Sequence, residues 1–181
     1  MLHLGLYTEL VRADHLTVSQ VASLVNQADE YGRRANHRPT QRSEAASAFE
    51  NAARAVQMAV DTHGISHRDI AARTPLSNPN TIGRYHLLGL YLALPGQVWR
   101  REESEVHYVY HLLIRAIAGK TPAGRVGIPA LRGLLGSAGT REAAIQALER
   151  LGAEPTGSSP AGREGPGAIL ASGDLSEELR Q

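Results

Sequence analysis

Residues 64–85 read Gly64-Ile-Ser-His-Arg-Asp-Ile-Ala-Ala-Arg-Thr-Pro-Leu-Ser-Asn-Pro-Asn-Thr-Ile-Gly-Arg-Tyr85, and the fold turns on how this stretch is built. Ser66 suits an N-cap, and a short amphipathic helix from His67 to Arg73 follows it. Pro75, Asn78 and Pro79 then crowd into Thr74–Asn80, a turn composition. A second helix, Thr81–Leu94, is stopped by Pro95-Gly96. Such a pair holds together if Ile70 packs on Ile82, Ala71 permits close approach, Leu76 plugs the turn and Ser77 caps the second helix. All of these residues are present. The expectation is a helix-turn-helix.

Helical periodicity continues on both sides. Upstream, Ser43–His63 carries Ala45, Ala48, Phe49, Ala52, Ala53, Val56, Met58, Ala59 and Val60 on one broad face, with Ser43 as N-cap and Gly64 as terminator. Before it, a helix from Thr17 or Ser19 to about Arg33 carries Val18, Val21, Ala22, Leu24, Val25 and Ala28, and Leu2–Val11 suits a shorter one. Asn36–Thr40, with Pro39, is a break. Downstream, helices are expected over Glu102–Ala118, Pro129–Leu135 and Thr140–Leu151, and no stretch reads as a strand. From Gly152 the composition turns to Gly, Pro, Ser and charge, which cannot bury enough apolar surface to offset chain entropy. The reading is an all-α, multi-helix domain with a disordered Gly/Pro-rich C-terminal tail. Its parts are an N-terminal helical segment (1–35), the helix-turn-helix region (43–101), a helical C-terminal region (102–151) and a flexible tail (152–181).

Composition narrows the chemistry. The absence of cysteine removes disulfides, thiolate zinc sites and cysteine nucleophiles together. No signal peptide and no apolar run near the roughly 20 residues of a membrane span is present, so a cytoplasmic location is expected. The net charge of +1 conceals a strong asymmetry. Residues 31–101 hold ten arginines against four carboxylates, a net of +6, whereas 1–30 and 102–181 carry −3 and −2. A basic block of this kind suits a polyanionic partner.

The segment Ile65-Ser-His-Arg-Asp-Ile-Ala-Ala-Arg73 followed by Leu76-Ser77 resembles the helix-turn-helix of bacterial DNA-binding proteins. Among these are ParB/KorB-type partition proteins and small actinobacterial regulators. Leu87-Leu-Gly-Leu-Tyr-Leu-Ala-Leu-Pro95 looks like the leucine-rich run that follows the ParB recognition helix. The likeness covers about residues 45–100. Pro75 stands where a turn glycine is common, one extra residue separates Ser77 from Ile82, and the stretch from Ile82 to Pro95 is longer than in ParB. The arginine-rich nucleotide-binding motifs of ParB are missing, so CTP-dependent clamping is not implied. The resemblance implies double-stranded DNA as partner and a role in transcription regulation or partition, with a nucleoid-associated location. Asn78, Asn80, Thr81 and Arg84 would then face the major groove, where Asn pairs with adenine and Arg with guanine. Ser66, His67, Arg68 and Arg73 would lie nearer the phosphates, Ser77 caps, and Tyr85 and His86 suit either role.

Other constellations offer less. Glu103, His107 and His111 share a helical face, but Tyr108 and Tyr110 interleave and H-E-x-x-H is absent, so a polar stripe rather than a metal site is expected. The glycines of 124–139 form no phosphate loop, and no serine elbow appears. No enzymatic activity and no cofactor are expected. Trp99 reads as a packing anchor. Apolar faces over Val106–Ala118 and Ala130–Leu151 complete a core or form a homodimer interface, and pairing of half-sites favours the dimer. The competing class is a helical protein–protein adaptor, of phage or mobile-element origin, that touches no nucleic acid. In that case Ile70, Leu76, Ile82, Leu87 and Leu90 are only core.

Overall fold

A computed structural model describes residues 16–37, 41–75, 78–98, 104–122 and 124–152. These form seven α-helices and, among the described residues, no strand. The chain is all-α. The predicted helix at Leu2–Val11, Leu76 and Ser77, Trp99, Glu103 and the tail beyond Gly152 lie outside the described residues. Among those described, no helix is long and apolar enough to cross a membrane.

Helix α1 (Val18–His37) continues past the expected end at Arg33, and its row of Val21, Val25, Ala28 and Ala35 is buried throughout. Helix α2 (Arg42–Gln57) starts earlier than expected. Gln41 is its N-cap, while Ser43 lies inside the first turn and accepts a hydrogen bond at its carbonyl from the Ser47 hydroxyl at 3.2 Å. The helix does not stay α-helical to His63. It widens into a π turn over Met58–Thr62, in which the His63 N–H reaches the Met58 carbonyl at 3.3 Å. Gly64 then ends it at φ +66°, a conformation that suits glycine.

After the short α3 (His67–Ala71), helix α4 (Pro79–Ala93) runs through the middle of the molecule. It is followed by α5 (Glu105–Ile117), α6 (Ile128–Ala138) and α7 (Arg141–Gly152). Helix α4 touches α2, α3, α5, α6 and α7. The alanine-rich face of α2 explains how α4 comes so close. Ala45, Ala52, Ala53 and Val56 are buried there, and Gly89 of α4 lies directly on the α2 backbone. A Cβ at Gly89 would stand 2.5 Å from the Ala53 carbonyl oxygen. Phe49, Tyr85 and Tyr110 tie α2, α4 and α5 together, with the Phe49 and Tyr110 centroids 4.3 Å apart and those of Tyr85 and Tyr110 5.3 Å apart. Such pairs add about 0.5–1.5 kcal/mol each beyond the area they bury.

The C-terminal end of α4 is held by Arg141, at the start of α7. Its guanidinium donates to the Leu92 carbonyl at 2.7 Å and the Leu94 carbonyl at 3.1 Å, and pairs with Glu105 of α5 at 3.5 Å. A cation here satisfies carbonyls that no further helical turn can reach. The apolar faces of the last three helices contribute Val109, Leu113, Leu131, Leu135, Ala144, Ile145 and Leu148 to the core of the single chain.

Candidate nucleic-acid interface

The Ser66 hydroxyl accepts from the Asp69 N–H at 3.1 Å and donates to the Asp69 carboxylate at 2.7 Å, which fixes the start of α3. Ile70 and Ala71 at its other end are buried, as is Ile82 on α4, and the two helices touch. The chain leaves α3 through a turn in which Thr74 is buried and its hydroxyl donates to the Ala71 carbonyl at 3.0 Å. Helix α4 is capped by Asn78, not by the expected Ser77: the Asn78 side-chain oxygen accepts from the Asn80 N–H at 2.9 Å, and Pro79 occupies the first helical position.

What α4 exposes decides how much of the expected contact set can meet a partner. Ten of its fifteen residues are buried. Thr81 is 5% exposed and Tyr85 is fully buried, so neither reaches a surface-bound partner. Arg84 is half-buried and turns inward, its guanidinium donating to Thr81 Oγ1 at 2.9 Å and lining a cleft beside α1 and α5. Ser66, Arg68, Arg73, Asn78 and Asn80 are exposed, on and beside α3, in the turn that follows it and at the start of α4. Of the two asparagines, Asn78 has its side-chain oxygen engaged in capping. No contact among the described residues engages the Asn80 amide.

The basic block is also less uniform than its count suggests. Arg33 pairs with Asp29 at 3.2 Å, Arg54 with Glu50 at 2.8 Å, and Arg34 with Glu30, each one helical turn apart. Arg42 and Arg68 are exposed and have no acidic partner among the described residues. Arg73 donates to the Asp69 carbonyl at 3.1 Å.

His67 is half-buried for a reason the sequence did not reveal. Its Nε2 lies 2.9 Å from Nδ1 of His86, a fully buried residue of α4. The Arg132 guanidinium of α6 lies 3.1 Å from the same nitrogen, and Asp61 of the π turn 3.0 Å from His86 Nε2. Arginine only donates, so His86 Nδ1 must accept; its proton is on Nε2 and is donated to Asp61. Burial lowers the pKa of both imidazoles below the usual histidine value, and for His67 the neighbouring His86 and Arg132 lower it further. A second pair, His107 and His111, approaches at 3.2 Å between Nε2 atoms, and no third His, Asp or Glu among the described residues completes a metal site with it.

Compared with known proteins, the chain matches no family profile, no curated sequence and no solved structure.

Proposed function

We propose that the protein binds double-stranded DNA without a cofactor, end-on, through the tip formed by α3 and the first turn of α4. The observation that carries this reading is the joint exposure of Arg68, Arg73 and Asn80 beside a helix otherwise locked in the core. Arg68 and Arg73 are exposed cations of the kind that bind phosphates, while Asn80 has an uncommitted amide suited to adenine in the major groove. Transcription regulation or partition is the role that fits, with the protein on the nucleoid. A tip this small reads few bases, so a homodimer on paired half-sites belongs to the same reading.

The test is fluorescence anisotropy on mixed-sequence duplex DNA at several salt concentrations, with light scattering on the complex. Affinity should fall steeply with salt, and Arg68→Ala with Arg73→Ala should reduce the log–log slope by about 1 per phosphate contact removed. Asn80→Ala should relax sequence preference, a bidentate pair being worth about 1–3 kcal/mol. A complex containing one protein chain per duplex would defeat the dimer.

One observation favours the adaptor class instead: α4 is buried on nearly every side, unlike a helix that lies along a groove. Absence of salt-sensitive binding even at low ionic strength would decide for that class.

A further inference from the structure

Resting on the DNA reading, we infer that the interface extends onto α6 through Arg132, a phosphate contact strengthened by protonation of His67. Two contacts lay α6 along the start of α4. A Cβ at Gly83 would stand 2.5 Å from Ile128 Cδ1, so Ile128 fills the space that a side chain there would take. One turn further along both helices, the Arg132 guanidinium lies 3.1 Å from Nδ1 of the buried His86. In the other direction, Asn80 is one turn from Gly83 on α4. His67, the residue before Arg68 on α3, reaches the same His86 nitrogen at 2.9 Å. Arg132 is thus brought beside the helix that bears Arg68, from outside the basic block of residues 31–101. It is exposed, and no carboxylate among the described residues pairs with it. Asp61 lies across the ring, 3.0 Å from His86 Nε2. A guanidinium anchored by one N–H to a buried imidazole keeps further donors for a phosphate oxygen.

Charge couples this contact to pH. Arginine only donates, so His86 Nδ1 accepts and His67 presents an Nε2–H to it. A further proton on His67 therefore lands on Nδ1 and breaks neither contact. In the free protein, burial opposes that proton most, then His86 and Arg132, while Asp61 favours it. Helix α1 also touches α3 but adds no charge that acts on the ring. A phosphate on Arg132 offsets the cation that repels the proton. Phosphate and proton then favour each other, and affinity rises as the pH falls.

The experiment is fluorescence anisotropy of the full chain on mixed-sequence duplex DNA, as a function of salt and between pH 7.5 and 6.0. Wild type, Arg132→Gln, Arg132→Lys, His67→Gln and Arg68→Ala are compared. Arg132→Gln should lower the log–log salt slope by about 1, and Arg132→Lys should restore it. Wild-type affinity should rise on acidification, by no more than about tenfold per pH unit for the single proton, and His67→Gln should flatten the rise. A wild-type slope in Arg132→Gln, with a reduced one in Arg68→Ala, would remove α6 from the interface while the DNA reading stands. An acid gain undiminished in His67→Gln would overturn the proton linkage. No salt-sensitive binding by wild type at any pH would sink both this contact and the DNA reading.

Discussion

Tyr85 packs its ring against Phe49 and Tyr110 and buries its hydroxyl in the core, where it makes no hydrogen bond of sound geometry. Burial, and then the neighbouring Tyr110, hold its phenol well above the ordinary tyrosine pKa, so it remains neutral. An aromatic residue that packs with its ring and leaves its hydroxyl unmatched should tolerate loss of that hydroxyl. Tyr85→Phe is expected to change stability by less than about 1 kcal/mol, whereas Tyr85→Ala should cost about 3–5 kcal/mol in urea unfolding. DNA affinity should be unchanged in Tyr85→Phe. A loss of several kcal/mol on removing the hydroxyl alone would mean that it is bonded after all. Side-chain type misled the sequence reading here, because tyrosine and histidine with polar tips look like surface residues. On a helix buried nearly all round, Tyr85 and His86 follow Ile82 at core spacing, and residue type no longer reports which face is wet.

Among the elements, apolar patterning located α1, α2, α4, α5, α6 and α7 to within a few residues, since each carries a strong apolar row or, in α4, a run that is apolar on nearly every side. Caps were less legible: Ser43 and Ser77 were expected, but the N-caps are Gln41 and Asn78, polar residues within two positions of them, and the local backbone makes the choice. The π turn at Met58–Thr62 has no side-chain signature, being a change of hydrogen-bond register. The close crossing of α2 and α4 was partly written in the alanines, yet the contact depends on Gly89, which looked like one more small residue in an apolar run. Gly89→Ala would bring a methyl against the Ala53 carbonyl at 2.5 Å and the Gln57 Cβ at 2.7 Å, and backbone yields less readily than a side chain. The helices must separate to admit it. Overpacking of this kind costs about 1–3 kcal/mol, against the gain of up to about 1 kcal/mol that Ala brings at an unhindered helix position. Net destabilisation in thermal unfolding is therefore expected. A rise in Tm would show that the crossing is looser than the distances indicate.

Across the whole molecule, the basic block of residues 31–101 was plain in the sequence, but its disposition depended on folding. Three of its arginines, Arg33, Arg34 and Arg54, form one-turn ion pairs on α1 and α2, and Arg84 faces inward. The cluster that joins the most distant parts was not legible, because Asp61, His67, His86 and Arg132 are scattered over seventy-odd positions and meet only when the π turn, α3, α4 and α6 pack. Its consequence is a pH dependence whose sign is fixed. Burial depresses the pKa of both His67 and His86 below 6.5, the value proper to the unfolded chain. Above about pH 7.5 both imidazoles are neutral in either state, and their contribution is complete. As the pH falls through 6.5 the unfolded chain takes up protons that the native cluster resists, so stability is lost until the native imidazoles themselves titrate. Asp61 facing His86 opposes the loss, whereas Arg132 beside both rings deepens it. Urea midpoints measured between pH 7.5 and 5.5 should therefore decline on acidification, with a slope bounded by about 1.4 kcal/mol per pH unit for each imidazole. His67→Gln removes one of the two titrating rings and should flatten that slope while leaving the α4 core in place. Stability that rises on acidification, or a slope unchanged in His67→Gln, would mean that these rings do not carry the pH response of the fold.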